Sequence, residues 1–208
     1  MAELVSTIVI KVFQKSLTAA FHDLMRRRTE TARQILLSQL ASGDANIQDI
    51  ADIDEAVAMA FEYMSAAHRG AARVNLRLMA QVMQGQIQNS PPLYADNFLR
   101  WASLLASLSR EEIIAVTAYR KMWIRHELER KGQDPNAGND KREVDVLIGP
   151  GRVFKDGAEF HRTISALIRT GLVVAASGWG SLVYEPTDLL DELLKLVDVE
   201  AALREPVR

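Results

Sequence analysis

Apolar residues recur every three or four positions along the first forty residues, which is the spacing of an α-helix. They stand at positions 4, 5, 8, 9, 12, 13, 17, 21, 24, 25, 32, 35 and 36. The pattern predicts one helix over residues 4–40, ended by the sequence ASGD at residues 41–44. Residues 5–13 (VSTIVIKVF) are rich in β-branched side chains and are also compatible with a strand, but strict alternation is absent, which favours a helix.

A second proline-free stretch predicts another long helix, from Asp52 or Asp54 to about Gln88. Its apolar positions form one stripe along the whole length and a second stripe in the latter half, as expected of a helix packed between neighbours. Small residues cluster at positions 66, 67 and 70–72, where they would permit close helix approach. With the first helix, this predicts a long antiparallel hairpin that turns near residue 46.

Shorter elements follow after the break at residues 89–92 (NSPP). Ser109 and Glu112 form a capping-box pattern at the start of a helix that extends to about Lys131. The remaining predictions are a helix at 94–107, a polar loop at 132–140, an ambiguous segment at 141–148, a turn at 149–151, a helix from Asp156 or Gly157 to a stop at Gly171, strands at 172–175 and 181–184, and a closing helix at 188–203.

The fold class predicted is therefore mainly α: a long antiparallel N-terminal helical hairpin and a helical C-terminal module with a small β-hairpin. We expect two regions, an oligomerising helical region at residues 1–107 and a second module at 108–208. The N-terminal helices carry more apolar surface than one hairpin buries, which predicts a homo-oligomer, most simply a dimer.

Composition limits the classes of function. The chain has 208 residues, 48% apolar, with a formal net charge of −2, which gives no global attraction to nucleic acid or membrane. It has no cysteine, so disulfides and thiolate metal sites are excluded, and it begins Met1-Ala2-Glu3 without a basic leader. The longest uncharged stretch, 78–95, is rich in glutamine and proline and is not a membrane span. A cytoplasmic location is expected.

The C-terminal order of capped helix, loop, helix, hairpin and last helix resembles winged helix-turn-helix domains. The matching segments are SREEII (109–114), ISALIRTGLV (164–173) and VYEPT (183–187). The resemblance covers the last half of the chain, and residues 144–154 would have to form its second helix. It implies a recognition helix that enters the major groove of DNA and a wing that contacts the backbone, although winged helices also serve as protein-interaction modules.

The resemblance singles out candidate DNA- or partner-binding residues. They are Arg152, Lys155, His161, Arg162, Ser165 and Arg169, with Thr163 beside them and Trp179 at the hairpin tip. An indole at that tip either folds onto the module or anchors a contact. Asp156 and Glu159 lie among the basic residues and the closing helix is acidic, so few phosphate contacts are available.

A second group of candidates is an arginine stripe. Arg69, Arg73 and Arg77 recur every four residues and are interpreted either as an anion-binding site or as a solvated, ion-paired helix face. The run at residues 26–28 and Arg33 permits the same two interpretations. If the hairpin brought the two groups together, the anion-binding hypothesis would gain weight.

The sequence shows no catalytic pattern, no metal site and no cofactor motif. The four histidines stand on separate elements, and His126 and Glu129 are reversed relative to the motif of di-iron bundles. The leading hypothesis is a non-enzymatic regulatory or scaffold protein that oligomerises through its N-terminal helices and binds DNA or a protein through the C-terminal module. The alternative is a helical protein-interaction protein of a mobile-element or phage-defence system that does not bind nucleic acid.

Overall fold

The computed structural model describes residues 2–42, 53–89, 94–130, 145–178 and 181–204. The fold is mainly helical with one small antiparallel sheet. The elements are α1 (Ala2–Ser42), α2 (Ile53–Arg69), α3 (Arg73–Asn89), α4 (Ala95–Ser107), α5 (Arg110–Arg130), α6 (Gly157–Ala166), β1 (Val173–Gly178), β2 (Ser181–Pro186), α7 (Asp188–Leu196) and α8 (Val199–Arg204), with short 3₁₀ helices at Asp145–Leu147 and Leu167–Thr170. The chain divides inside α4 into two compact units, residues 1–102 and 103–208.

The first helix is confirmed over its whole predicted length, because α1 spans Ala2–Ser42 and the strand alternative at residues 5–13 is wrong. In unit 1, α2 runs antiparallel to α1. Thr29 of α1 bonds His68 across 2.8 Å between Oγ1 and Nε2, and the Tyr63 hydroxyl donates to the carbonyl of Ala32 across 3.0 Å. Residues further along α1 thus contact residues earlier in α2, as expected of two antiparallel helices.

The prediction of one helix from residue 52 or 54 to 88 is wrong, because the chain reverses at Gly70. The Gly70 N–H donates to the Ala67 carbonyl and the Ala71 N–H donates to the Ala66 carbonyl, at 3.2 and 3.0 Å. These two bonds are the Schellman arrangement that ends a helix at a left-handed residue, and Gly70 has a φ of 101°. The chain then returns as α3, parallel to α1, and Gln39 donates to Gln84 across 2.6 Å. The predicted turn near residue 46 lies outside the described residues.

Unit 1 has a core of fully buried large side chains from α2, α3 and α4, among them Met59, Tyr63, Leu78, Met79 and Phe98. The start of α2 carries Asp54 and Glu55, as expected for carboxylates at the positive end of the helix dipole. The Glu55 carboxylate accepts a hydrogen bond from the N–H of Ala95 at the start of α4. Two helix starts are thus joined by one carboxylate.

Unit 2 is organised around α5, and its predicted capping box is confirmed. The Glu112 N–H donates to the Ser109 hydroxyl across 3.1 Å, and the Ser109 N–H donates back to the Glu112 carboxylate across 2.8 Å. The Tyr119 ring packs on Phe160 of α6, and its hydroxyl donates to the Tyr184 carbonyl of β2 across 2.5 Å. One helix therefore holds both α6 and the sheet.

The predicted stop at Gly171 is also confirmed, with the last turn tightened into a 3₁₀ helix and Gly171 in the left-handed conformation. The two predicted strands are present and slightly longer, with Val173 opposite Pro186 and Ala175 opposite Tyr184. At the other end of α6, Gly149 and Gly151 form the predicted turn, where Ile148 makes a bridge to Phe154.

The single closing helix predicted at 188–203 is wrong, since it is divided into α7 and α8. Val197 is extended, with φ −132° and ψ 143°, and its side chain is buried. Asp198 then starts a new helix by accepting the N–H of Ala201 across 2.9 Å. A β-branched residue followed by an aspartate has interrupted an otherwise helical pattern.

Candidate functional site

The predicted recognition helix, α6, is capped at its N-terminus by two carboxylates. Asp156 Oδ1 accepts the Glu159 N–H across 2.8 Å, while the Glu159 carboxylate accepts the Lys155 N–H across 2.6 Å. The two acidic residues that stand among the candidate basic residues thus bind the backbone at the positive end of the helix. Their negative charge is partly offset by these amides.

One face of α6 is buried and the opposite face is open. Phe160, Ile164 and the following Leu167 are buried, and the Phe160 ring packs edge-on against Phe154 with centroids 5.3 Å apart. His161 and Arg162 are exposed between these buried positions. Helical periodicity therefore directs the apolar residues to α5 and leaves the basic residues toward solvent.

Most of the sequence-predicted binding residues lie on or just before this open face. We call them the α6 basic segment, which comprises Arg152, Lys155, His161, Arg162 and Ser165; the first four are exposed and Ser165 is half-buried. Thr163 differs, because its hydroxyl donates to the Glu159 carbonyl across 3.0 Å and is occupied within the helix. Trp179 lies outside the described residues.

Arg169 is held in a structural ion pair. Its guanidinium bonds both oxygens of the Glu112 carboxylate, at 2.5 and 2.9 Å, and also the carbonyls of Ala166 and Ser107. The Arg169 hydrogen bond is the main reason that the pKa of Glu112 lies below its usual value of 4.5, and burial of the carboxyl opposes this effect. Nothing in the sequence signals this pair, since its members are 57 residues apart.

Two of the acidic residues in the last two helices, Asp191 and Glu200, are paired with cations of α5. Arg120 bonds both oxygens of Asp191, at 2.5 and 2.8 Å, while Lys121 and Arg204 both pair with Glu200. Lys121 is the main reason that the pKa of Glu200 is lowered, and Arg204 adds a smaller effect in the same direction. The acidity predicted to repel DNA is therefore partly neutralised within unit 2.

The predicted arginine stripe does not lie on one helix. Arg69 is the last residue of α2 and pairs with Glu62, whereas Arg73 and Arg77 belong to α3 on the far side of the reversal at Gly70. The premise of one face with four-residue spacing is therefore wrong. Anion binding by these three residues stays a prediction, but only Arg73 faces the cleft described next.

Unit 1 contains a cleft of about 410 Å³ between α1 and the start of α3. The cleft is lined by Arg27, Arg28 and Thr31 from α1, by Arg73 and Leu76 from α3, and by Leu24, Ala67 and residues 70–72. The reversal at Gly70 places the start of α3 beside α1, and so the two arginine groups do come together, through Arg73 and the run at 26–28. We call this feature the arginine cleft.

Asp23 balances part of the positive charge near the arginine cleft. Its carboxylate pairs with Arg26 at 2.7 Å and with Arg27 at 2.5 Å. Hydrogen bonds from these two guanidinium groups lower the pKa of Asp23. Both arginine side chains are more than three-quarters exposed, so the pairs are solvated. Asp23 itself does not line the cleft.

Among the residues that the structure describes, no group of three His, Cys, Asp or Glu side chains could hold a metal ion. Within the same part of the chain, no helix combines the length and the apolar character needed to cross a membrane. Comparison with known protein families, with curated proteins and with solved structures found no match. The function must therefore be argued from the geometry of the two units.

Proposed function

We propose that this chain is a non-enzymatic regulatory or scaffold protein whose C-terminal unit is a winged-helix-like module that contacts duplex DNA. The α6 basic segment carries this proposal, because it presents Arg162 on the open face of the helix that would enter the major groove, and Arg152 and Lys155 exposed in the turn just before that helix. The order α5, α6, β1, β2 supports the resemblance. The resemblance would require a second helix at residues 144–154, but the described residues 145–154 form a 3₁₀ turn at Asp145–Leu147 followed by a turn closed by the Ile148–Phe154 bridge.

The electrostatics of unit 2 favour weak, salt-dependent binding. Three cations that reach phosphates give a slope of log affinity against log salt of about −3, since each contact contributes about −0.9. Engagement of Asp191 and Glu200 by α5 lessens the repulsion from the closing helices. Two linked copies would bind more tightly than one, because the second contact becomes intramolecular.

Self-association through α2 is the second part of the proposal. Ile53, Val57 and Phe61 stand four residues apart and are 72%, 60% and 71% exposed, while Met59 and Tyr63 on the same helix are buried. The helix is thus apolar on a core face and on an open face. Two antiparallel copies would bury each other's stripes in an isologous, two-fold interface.

DNA binding is tested by fluorescence anisotropy with a 30-base-pair duplex between 50 and 200 mM salt. The double variant Lys155→Glu/Arg162→Glu should lose most of the binding at 50 mM salt. The single variant Lys155→Glu should lose part of the binding, and the control Lys195→Glu, which makes the same charge change as that single variant at an exposed site on α7, should reduce affinity much less. Equal losses in the control, or no binding by the native chain at 50 mM salt, would contradict the proposal.

A protein partner for the same unit is the alternative, and one observation favours it. Val153, Ile168 and Val174 flank α6 and are 39–45% exposed. Exposed apolar side chains of this kind do not bind DNA phosphates, but they suit the buried centre of a protein interface. Absence of DNA binding at low salt would move the assignment to this alternative.

Self-association is tested separately by sedimentation equilibrium. Val57→Glu/Phe61→Glu should give a monomer, whereas Leu37→Glu, an apolar-to-acidic change on α1, should leave the assembly intact. A native chain that sediments as a monomer at 50 µM would refute this part while leaving the DNA assignment standing.

A further inference from the structure

The arginine cleft combines three cations with apolar walls. Arg27, Arg28 and Arg73 line it together with Leu24 and Leu76, and none of its described lining residues is acidic. Sites for small ligands are usually concave, mostly apolar, and hold a few converging polar groups in roughly 300–1,000 Å³. At about 410 Å³ the cleft has this size, and its lining is divided nearly evenly between polar and apolar surface.

Arg28 lies against the glycine at the turn between α2 and α3. Its Nη1 lies 2.9 Å from the point where a Cβ on Gly70 would stand, so the guanidinium packs directly over the glycine backbone. The side chain is half-buried, and within the described part of the chain no carboxylate pairs with it. Asp23 pairs with Arg26 and Arg27 instead. A half-buried guanidinium without a carboxylate favours binding of an external anion.

The start of α3 adds to the positive potential of the cleft. The Ala72 carbonyl accepts the N–H of Leu76, so Ala72 is the N-cap, and its methyl side chain cannot accept a hydrogen bond from the first turn. The N–H groups of a first helical turn have no partner within the helix and carry the positive end of its dipole. Residues 70–73, which lead into this turn, line the cleft.

We propose that the arginine cleft binds a phosphorylated small molecule of mononucleotide size. The phosphate lies between the guanidinium groups of Arg28 and Arg73, near the first turn of α3, where forked N–H donors match its oxygens. The Thr31 hydroxyl offers a further hydrogen bond. The apolar portion of the ligand packs on Leu24 and Leu76, which explains why a site for an anion has apolar walls. This site lies in unit 1 and does not depend on the DNA-binding assignment.

The experiment uses the full chain and isothermal titration calorimetry with inorganic phosphate, AMP and adenosine as probes. Arg28→Gln should weaken AMP binding at least about tenfold, as expected for loss of a charge-assisted, bidentate contact. Arg28→Lys keeps the positive charge but loses the forked donor geometry, so its affinity for AMP should lie between that of the native chain and that of Arg28→Gln. Arg33→Gln is the matched control, because it removes an arginine from α1 outside the cleft and should leave the affinity unchanged.

The probes separate the two halves of the ligand. Binding of AMP that is tighter than binding of phosphate, with competition between them and no binding of adenosine, is the expected result. Equal affinity for phosphate and AMP would overturn the role of the apolar walls. Absence of binding by every probe, or AMP binding that Arg28→Gln and Arg33→Gln weaken equally, would overturn the site. Circular dichroism of each variant establishes that it is folded.

Discussion

Two arginines of unit 2 and one arginine of unit 1 serve different purposes. In unit 2, Arg120 and Arg169 are each fixed on a carboxylate of the same unit, Asp191 and Glu112. In unit 1, Arg28 has no such partner among the described residues and lies at the arginine cleft. The difference teaches that a guanidinium available to a ligand is recognised by the absence of a nearby carboxylate, which sequence spacing does not reveal.

The Glu112–Arg169 pair gives the largest expected effect. Glu112→Ala removes a half of the capping box and leaves the Arg169 guanidinium without its carboxylate, so the free energy of unfolding should fall by about 2–3 kcal/mol. Urea denaturation followed by circular dichroism measures the change. Asp23→Ala, which breaks two solvated ion pairs on α1, should cause no measurable loss. Equal losses would show that the two units do not differ in this way.

The two glycines of the α2–α3 hairpin should respond in opposite directions. Gly70→Ala places a side chain at φ 101° and against Arg28, and should lower the free energy of unfolding by about 1–2 kcal/mol. Gly85 lies inside α3, where an added Cβ meets nothing within 4 Å. Gly85→Ala should therefore raise the free energy of unfolding by about 0.5–1 kcal/mol. Thermal melts of both variants check the prediction. A stabilising Gly70→Ala would rule out the left-handed turn.

Neutral hydrogen bonds should not distinguish the units. The hydroxyl of Tyr63 donates to a main-chain carbonyl in unit 1, and that of Tyr119 does so in unit 2. Tyr63→Phe and Tyr119→Phe should each lower the free energy of unfolding by about 1 kcal/mol. Urea denaturation of both variants tests this equality. A loss in one unit alone would mean that the contrast between them extends beyond charge.

The smallest expected effect is a change in the slope of stability against pH. The folded-state pKa of Glu112 lies below its usual value of 4.5. The contribution of this carboxylate to the free energy of unfolding is therefore fully present above about pH 4.5 and is lost as the pH falls through the folded-state pKa. Glu112→Gln should therefore show a shallower loss of stability below pH 4.5 than the native chain. Parallel curves from urea melts at pH 3–6 would contradict the role of the pair.

Local signals in the sequence predicted much of the fold. The capping box at Ser109 and the stop at Gly171 depend on neighbouring residues and are confirmed. The reversal at Gly70 was missed because the surrounding alanines favour a continuous helix. A signal was nevertheless present, since His68 and Arg69 suit the last turn of a helix and a glycine follows them.

The candidate sites were less predictable, because they depend on contacts between distant residues. Arg169 resembles a binding residue by its position on a recognition helix, and only the fold shows that it bonds Glu112. Arg28 and Arg73 line the same cleft only because α3 returns alongside α1. The helical spacing that linked Arg69 to Arg73 was interrupted by the same reversal.

The contact between Arg28 and the bare backbone of Gly70 has a consequence for how this sequence can change over evolutionary time. A side chain at position 70 would occupy the space of the guanidinium, whose nearest nitrogen is 2.9 Å from that point. The two positions, 42 residues apart, are therefore expected to vary together. A related chain that carries asparagine at position 70, which tolerates the left-handed conformation, should carry a shorter residue at position 28.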